Sequence, residues 1–268
     1  MNQPNTLTSY FSEVDGAKIH YHKIGQGIPL LMIHGGAPGA FGWGNFKFNI
    51  DELQKKFCIY IVDLPGYGKS EVLNEKSNTI LGCAGIFNDF MITQGHEKYN
   101  VVGMATGGSI AAEIAINFPE KINKLILVSA PVGLAKYQNK NNKPASEVLA
   151  QSKNSSLDEM RAYLDKLVYN KCLLTEDLII ERYQESLNSK NMKEGKKEKN
   201  SHIWKQLDRI QCETLILWGR ENHAHSYENA IFTHSQIKNS QLHIFSQCGL
   251  WVPFEKKNEF NLLVTNFI

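Results

Sequence analysis

Six short apolar runs constrain this chain most: IPLLMIHG (28–35), FCIYIVDLP (57–65), YNVVGMA (99–105), KLILVSAP (124–131), TLILWGR (214–220) and LHIFSQ (242–247). Each has the length of a strand and is apolar at most positions rather than at alternate ones. Such strands are covered on both faces, the habit of a parallel sheet with helices on either side. AKIHYHKIG (17–25) reads as a further strand, closed by the turn GQG. Helical stretches at about 48–56, 79–95, 108–118, 227–237 and 255–267 separate most of the runs. The alternation predicts an α/β protein with right-handed crossovers.

One interval breaks the rhythm. From about 134 to 207 no buried strand is visible, only polar joints and the amphipathic pieces SEVLAQS, SLDEMRAYLDKLVY and TEDLIIERYQESLNSKN. We read a helical cap at 134–204 inserted into a core formed by 1–133 and 205–268. Within it, KNMKEGKKEKN (190–200) reads as a solvated charge run. Lys and Arg number 29 against 27 Asp and Glu, a net charge of +2 that argues against nucleic acid or an acidic membrane surface as partner. The five cysteines are scattered and form no CxxC pair, so neither a disulfide frame nor a zinc site is expected. There is no GxGxxG at a first strand, no phosphate-binding loop and no metal-ligand spacing, so no cofactor is expected. No apolar run reaches the roughly 20 residues of a membrane span. The polar N-terminus lacks a leader pattern, which makes a cytoplasmic location the default expectation.

The chemistry-bearing motifs fall at strand ends: HGGAPGAFGWGN (34–45), DLPGYGKS (63–70), GMATGG (103–108), WGREN (218–222) and QCGLWVPFE (247–255), with LLTEDLIIERY (173–183) in the cap. In this order they make the chain resemble the α/β-hydrolase family, and within it the meta-cleavage product hydrolases, which split carbon–carbon bonds in 2-hydroxy-6-oxo-dienoates. The resemblance implies a mostly parallel eight-stranded sheet with an inserted helical cap. It also implies a Ser–His–acid triad, with the Ser on a G-x-Ser-x-G elbow. Here the elbow position holds Ala105, the acid position Asn222 and the His position Leu250. Alanine carries no nucleophile, leucine transfers no proton, and asparagine cannot stabilise an imidazolium by charge. His223 and His225, in the loop after WGREN, are candidates for a rebuilt acid–base group or simply solvated loop residues. His243 reads as a strand residue, and Cys248 lacks a neighbouring activator.

Other family positions are kept. Gly36 matches the oxyanion loop, and the amide of Thr106 is the second donor. Arg182 matches the arginine that pairs with a substrate carboxylate, Asn45 an active-site asparagine, and Trp251 the aromatic after the His. Met104 replaces a family asparagine and makes the pocket greasier, while Phe41, Trp43 and Phe46 thicken an aromatic wall. Each also has a plain structural reading: a surface arginine, a core tryptophan, a turn asparagine. The expected ligand is a small, anionic, partly apolar molecule. The expected function is a non-hydrolytic enzyme, an isomerase, cyclase or lyase, acting on an unsaturated carbonyl carboxylate. A non-catalytic binding or sensor protein is the alternative. A hydrolase, engineered at Ala105 or rebuilt from the loop histidines, is the third. Self-association among capped relatives leaves a homo-oligomer open.

Overall fold

The computed structural model describes residues 8–72, 75–133, 156–188 and 202–268. Its strands are β1 (Ser9–Val14), β2 (Ala17–Ile24), β3 (Ile28–Ile33), β4 (Phe57–Val62), β5 (Glu71–Val72), β6 (Tyr99–Met104), β7 (Ile122–Val128), β8 (Glu213–Gly219) and β9 (Ser240–Phe245). They make one sheet in the order β1-β2-β4-β3-β6-β7-β8-β9, with the two-residue β5 beside β2. The pairings of β2 with β1, β4 and β5 are antiparallel. Every other pairing is parallel. The apolar runs are the parallel strands. β4 and β6 are buried at every residue, because helices cover both faces. β9 alternates in burial instead, as befits an edge strand. β1 was not among the expected strands. It pairs with β2 through a two-residue turn, with Asp15 and Gly16 both at positive φ (36° and 79°). Asp-Gly is a strong tight-hairpin signal.

The helices are α1 (Gly42–Phe46), α2 (Ile50–Leu53), α3 (Ile80–Thr93), α4 (Thr106–Asn117), α5 (Leu157–Leu167), α6 (Glu176–Asn188), α7 (Glu228–Gln236), α8 (Val252–Glu255) and α9 (Lys257–Phe267). Where a helix was expected at 48–56 there are a 3₁₀ turn (Lys47–Asn49) and the four-residue α2. Side chains start the regular helices. The Thr79 hydroxyl accepts from Gly82 N (2.9 Å) ahead of α3, and Ser156 and Glu159 form a reciprocal capping box on α5. Two apolar clusters sandwich the sheet. One holds α3 and α4 against the sheet, and the other holds α1, α9 and the cap helices. On α5, Met160, Tyr163, Leu164 and Leu167 form one buried stripe at helical spacing. On α6 the stripe is Leu178, Ile179 and Arg182, so a guanidinium points into the apolar layer. SEVLAQS and KNMKEGKKEKN lie outside the described residues. Among the described residues, no helix is long and apolar enough to cross a membrane.

Candidate active site

The strand β6 turns into α4 at Ala105, whose backbone sits at φ 49°, ψ −116°. Few non-glycine residues adopt this geometry, and the surroundings enforce it. Ala105 N donates to Val128 O at 2.9 Å, and Ala105 O accepts from Gly108 N (2.9 Å) and Ser109 N (3.1 Å). Glycine is required around it: a Cβ on Gly103 would strike the Gly107 carbonyl, and one on Gly107 the Ile33 carbonyl. Thr106 opens α4, so its N–H has no acceptor within the helix. The loop after β3 closes over this corner. A Cβ on Gly36 would lie 2.9 Å from Thr106 Oγ1, and one on Gly35 would lie 3.2 Å from Ala105 Cβ. The Tyr67 hydroxyl donates to Gly36 O at 2.8 Å and fixes that peptide. The structure therefore brings together Gly36, Ala105 and Thr106.

Arg182 reaches this loop from the cap. Its Nη1 donates to Gly39 O (3.1 Å), and its Nη2 to Gly44 O and Asn45 Oδ1 (2.9 Å each). The guanidinium lies 4.4 Å from the Trp251 ring centre and 5.6 Å from that of Phe41. Only 4% of Arg182 is exposed, and among the described residues no carboxylate stands within ion-pair distance of it. Its Nε, fully buried, has no acceptor. Burial pulls its pKa down to about 10, against the weaker attraction of Glu181, Tyr163 and Glu185. Asn45 joins the two halves of the site. Its Oδ1 takes Arg182, its Nδ2 donates to Met104 Sδ (3.5 Å), and its carbonyl accepts from Trp251 Nε1 (3.1 Å). Trp43 lies nearer β2, 5.4 Å from the His22 ring, and Phe46 is fully buried in the same apolar cluster.

The remaining candidates are disposed differently. Asn222 turns its Oδ1 onto its own loop, accepting from Ala224 N (3.0 Å) and His225 N (3.2 Å), while its Nδ2 is buried without a partner. His223 is exposed. The Nδ1 of His225 is buried and unpartnered, and burial pulls its pKa down to about 4, so the ring is neutral at ordinary pH. The buried Leu250 is held through its backbone: its N–H donates to Leu167 O (2.8 Å), and its carbonyl accepts from the Ser129 hydroxyl (3.0 Å). Burial pushes the Cys248 thiol pKa upward, opposite to what a nucleophile needs. The His243 ring lies 4.3 Å from that of Phe245, tilted by 43°, in the edge strand.

Sequence reasoning missed three supports. Glu255 accepts from Gly249 N (2.7 Å), Tyr169 N (2.7 Å) and Asn170 N (3.0 Å), tying the cap's stem to the loop that carries Leu250. Asp63 accepts from Gly42 N (2.7 Å), His20 Nδ1 (2.7 Å) and Lys69 N (3.0 Å). Burial works to raise its pKa, but these donors, His20 foremost, and the nearby His34 hold it below the usual value. His34 accepts from Leu64 N at Nε2 (2.9 Å) and donates from Nδ1 to Gly35 O (2.7 Å), which fixes its neutral tautomer. Motif residues marked Asp63 and Glu255, but their partners are backbone amides that leave no trace in sequence. Among the described residues, no three His, Cys, Asp or Glu side chains are arranged to hold a metal.

Residues 28–257 match the family of the alpha/beta hydrolase fold. The chain is 30% identical to 2-hydroxy-6-oxo-6-phenylhexa-2,4-dienoate hydrolase of Comamonas testosteroni, over 93% of this chain and 91% of that protein. It is 29% identical to 2-hydroxy-6-oxononadienedioate/2-hydroxy-6-oxononatrienedioate hydrolase of Escherichia coli O81 (strain ED1a), over 99% and 98%. Among solved structures, a meta-cleavage product hydrolase of Pseudomonas fluorescens IP01, crystallised as a serine-to-alanine mutant with acetates, superimposes with a TM-score of 0.86 at 25% identity, covering 96% of each chain. These relatives correct the expected function. The substitutions at Ala105, Asn222 and Leu250 pointed to an isomerase, cyclase or lyase, or else to a sensor, whereas the similar proteins are hydrolases along their whole length. Sheet order, elbow, cap and kinship agree: the chain belongs to the α/β-hydrolase fold family and resembles its meta-cleavage product hydrolases.

Proposed function

We propose that this chain is a hydrolase of the carbon–carbon bond beside a ketone, acting on a 2-hydroxy-6-oxo-dienoate of the class named for its relatives. The observation that carries this reading is Arg182: buried, without an ion-pair partner among the described residues, and one acceptor short at Nε. A guanidinium in that condition suits an incoming carboxylate, which supplies both the missing charge and the missing acceptor. Asn45 spans from Arg182 to Met104, the neighbour of Ala105, so a ligand on the arginine extends toward the elbow. There the ketone oxygen meets the Gly36 and Thr106 segments, whose amides stabilise negative charge on it.

With alanine at the elbow, the attacking oxygen comes from water rather than from the chain. Its hydroxyl adds to the ketone carbon, the adjacent carbon–carbon bond breaks, and its proton ends on the departing carbon. The products are a carboxylic acid and a shorter 2-hydroxy-dienoate. The test is incubation of the protein with 2-hydroxy-6-oxo-6-phenylhexa-2,4-dienoate in ¹⁸O-water. Loss of the dienoate absorbance with one solvent oxygen in the benzoate supports hydrolysis. Tight binding with no consumption, or a product free of solvent oxygen, refutes it.

A further inference from the structure

We propose that the pocket selects a dienoate with one carboxylate and an apolar tail over a dicarboxylate of the same core. This rests on the reading above and narrows its substrate class. Arg182 is the single Lys or Arg that is buried among the described residues, so one carboxylate finds a matching cation. The other residues of the apolar cluster around Ala105 bring no second cation: Tyr163, Tyr183, Trp43 and Trp251 are its neutral donors, and Trp251 Nε1 is already given to Asn45 O. Met104, Leu250, Met160, Leu164, Leu167 and Ile179 offer neither charge nor an N–H or O–H donor from their side chains. The local field points the same way. Glu181 and Glu185 flank Arg182 on α6, and Glu185 is half-buried, its pKa raised first by burial and then by Asp63 and Glu181. Lys47 pairs with Glu181 at 2.6 Å, and Lys69 and Arg182 offset the acids at Glu185, so those cations are already engaged and a second carboxylate brought into this layer is desolvated and unpaired. An aryl or alkyl tail instead gains by burial.

The experiment titrates two compounds into the full chain: the phenyl-substituted dienoate and the nonadienedioate. Tryptophan fluorescence reads binding, and dienoate absorbance reads turnover. The expected result is at least tenfold tighter binding, and at least tenfold higher kcat/KM where turnover is seen, for the phenyl compound. Equal or tighter binding of the dioate overturns the selectivity while leaving the proposed function standing. Binding of neither overturns both. A Leu250→Arg variant, confirmed folded by circular dichroism, is expected to narrow the ratio at least threefold by supplying the second cation. Met104→Lys serves the same purpose if Leu250→Arg does not fold. An unchanged ratio in a folded variant removes that residue from the selectivity, and an unchanged ratio in both overturns the assignment to this face.

Discussion

Ala105 is held at φ 49° and ψ −116° by three backbone hydrogen bonds and by the glycines around it, so its replacement by glycine is expected to stabilise the protein. At an ordinary position the same change costs about 0.5–1 kcal/mol, because glycine has more freedom to lose. Here a strained backbone of this kind stores about 1–3 kcal/mol, which glycine releases. The partly exposed methyl forfeits about 0.5 kcal/mol of burial on removal, from a value of about 0.8 kcal/mol per buried carbon group. Taking the middle of each range, Ala105→Gly is more stable than the parent by about 0.8 kcal/mol. For a chain of this size that raises Tm by about 2–3 °C. Differential scanning calorimetry, with urea melts to confirm an unchanged m-value, measures it directly. A loss of about 1 kcal/mol or more, the cost at an unstrained helix position, would show that the corner stores no strain and that its geometry is intrinsic to the local chain.

Three further outcomes follow from named contacts. Arg182→Met removes a desolvated charge but leaves the buried acceptors Gly39 O, Gly44 O and Asn45 Oδ1 unpaired, so stability falls by at least about 1–3 kcal/mol, while affinity for the phenyl dienoate drops roughly 10–150-fold, the worth of one charge-assisted bond. His34 has its pKa lowered by burial from 6.5 to about 4, so the unfolded chain takes up a proton there before the folded one does. Its contribution is intact above pH 6.5 and is lost as pH falls toward 4, by up to about 3 kcal/mol at about 1.4 kcal/mol per unit. Denaturant melts across that range should show a shallower acid decline in His34→Asn than in the parent. Glu255→Gln places an amide NH₂ against backbone donors and leaves at least one unsatisfied, costing about 1–3 kcal/mol. Hydrogen exchange should rise together at Tyr169, Asn170 and Gly249, and exchange at Gly249 alone would contradict the shared anchor.

The central architecture was legible because β3, β4, β6, β7 and β8 are buried on both faces and their sequences contain little else than apolar residues. β1 was hidden, because its largely exposed residues show no such pattern and its one clear mark is the Asp15–Gly16 pair. Family motifs singled out Ala105, Gly36, Arg182 and Trp251; the structure sets Gly36 beside Thr106, and Arg182 beside Trp251 and Asn45. What Arg182 does with its donors was unreadable, since two of its three acceptors, Gly39 O and Gly44 O, are carbonyls that any residue supplies. The reaction type was read wrongly for a related reason. Three altered side chains were weighed as if they alone chose the chemistry, whereas kinship along the chain points to hydrolysis.

The anchor at Glu255 bears on how the two parts of the molecule can be exchanged. Its partners in the cap stem are main-chain N–H groups of Tyr169 and Asn170, which almost any replacement sequence would offer in the same place. A foreign helical insert with the same stem geometry therefore keeps this one fastening as long as Glu255 is kept. The other seam runs the opposite way: Arg182 belongs to the insert, and its acceptors belong to the loop beneath. A graft must bring its own arginine, so a chimera tells the two fastenings apart by which of them survives the exchange.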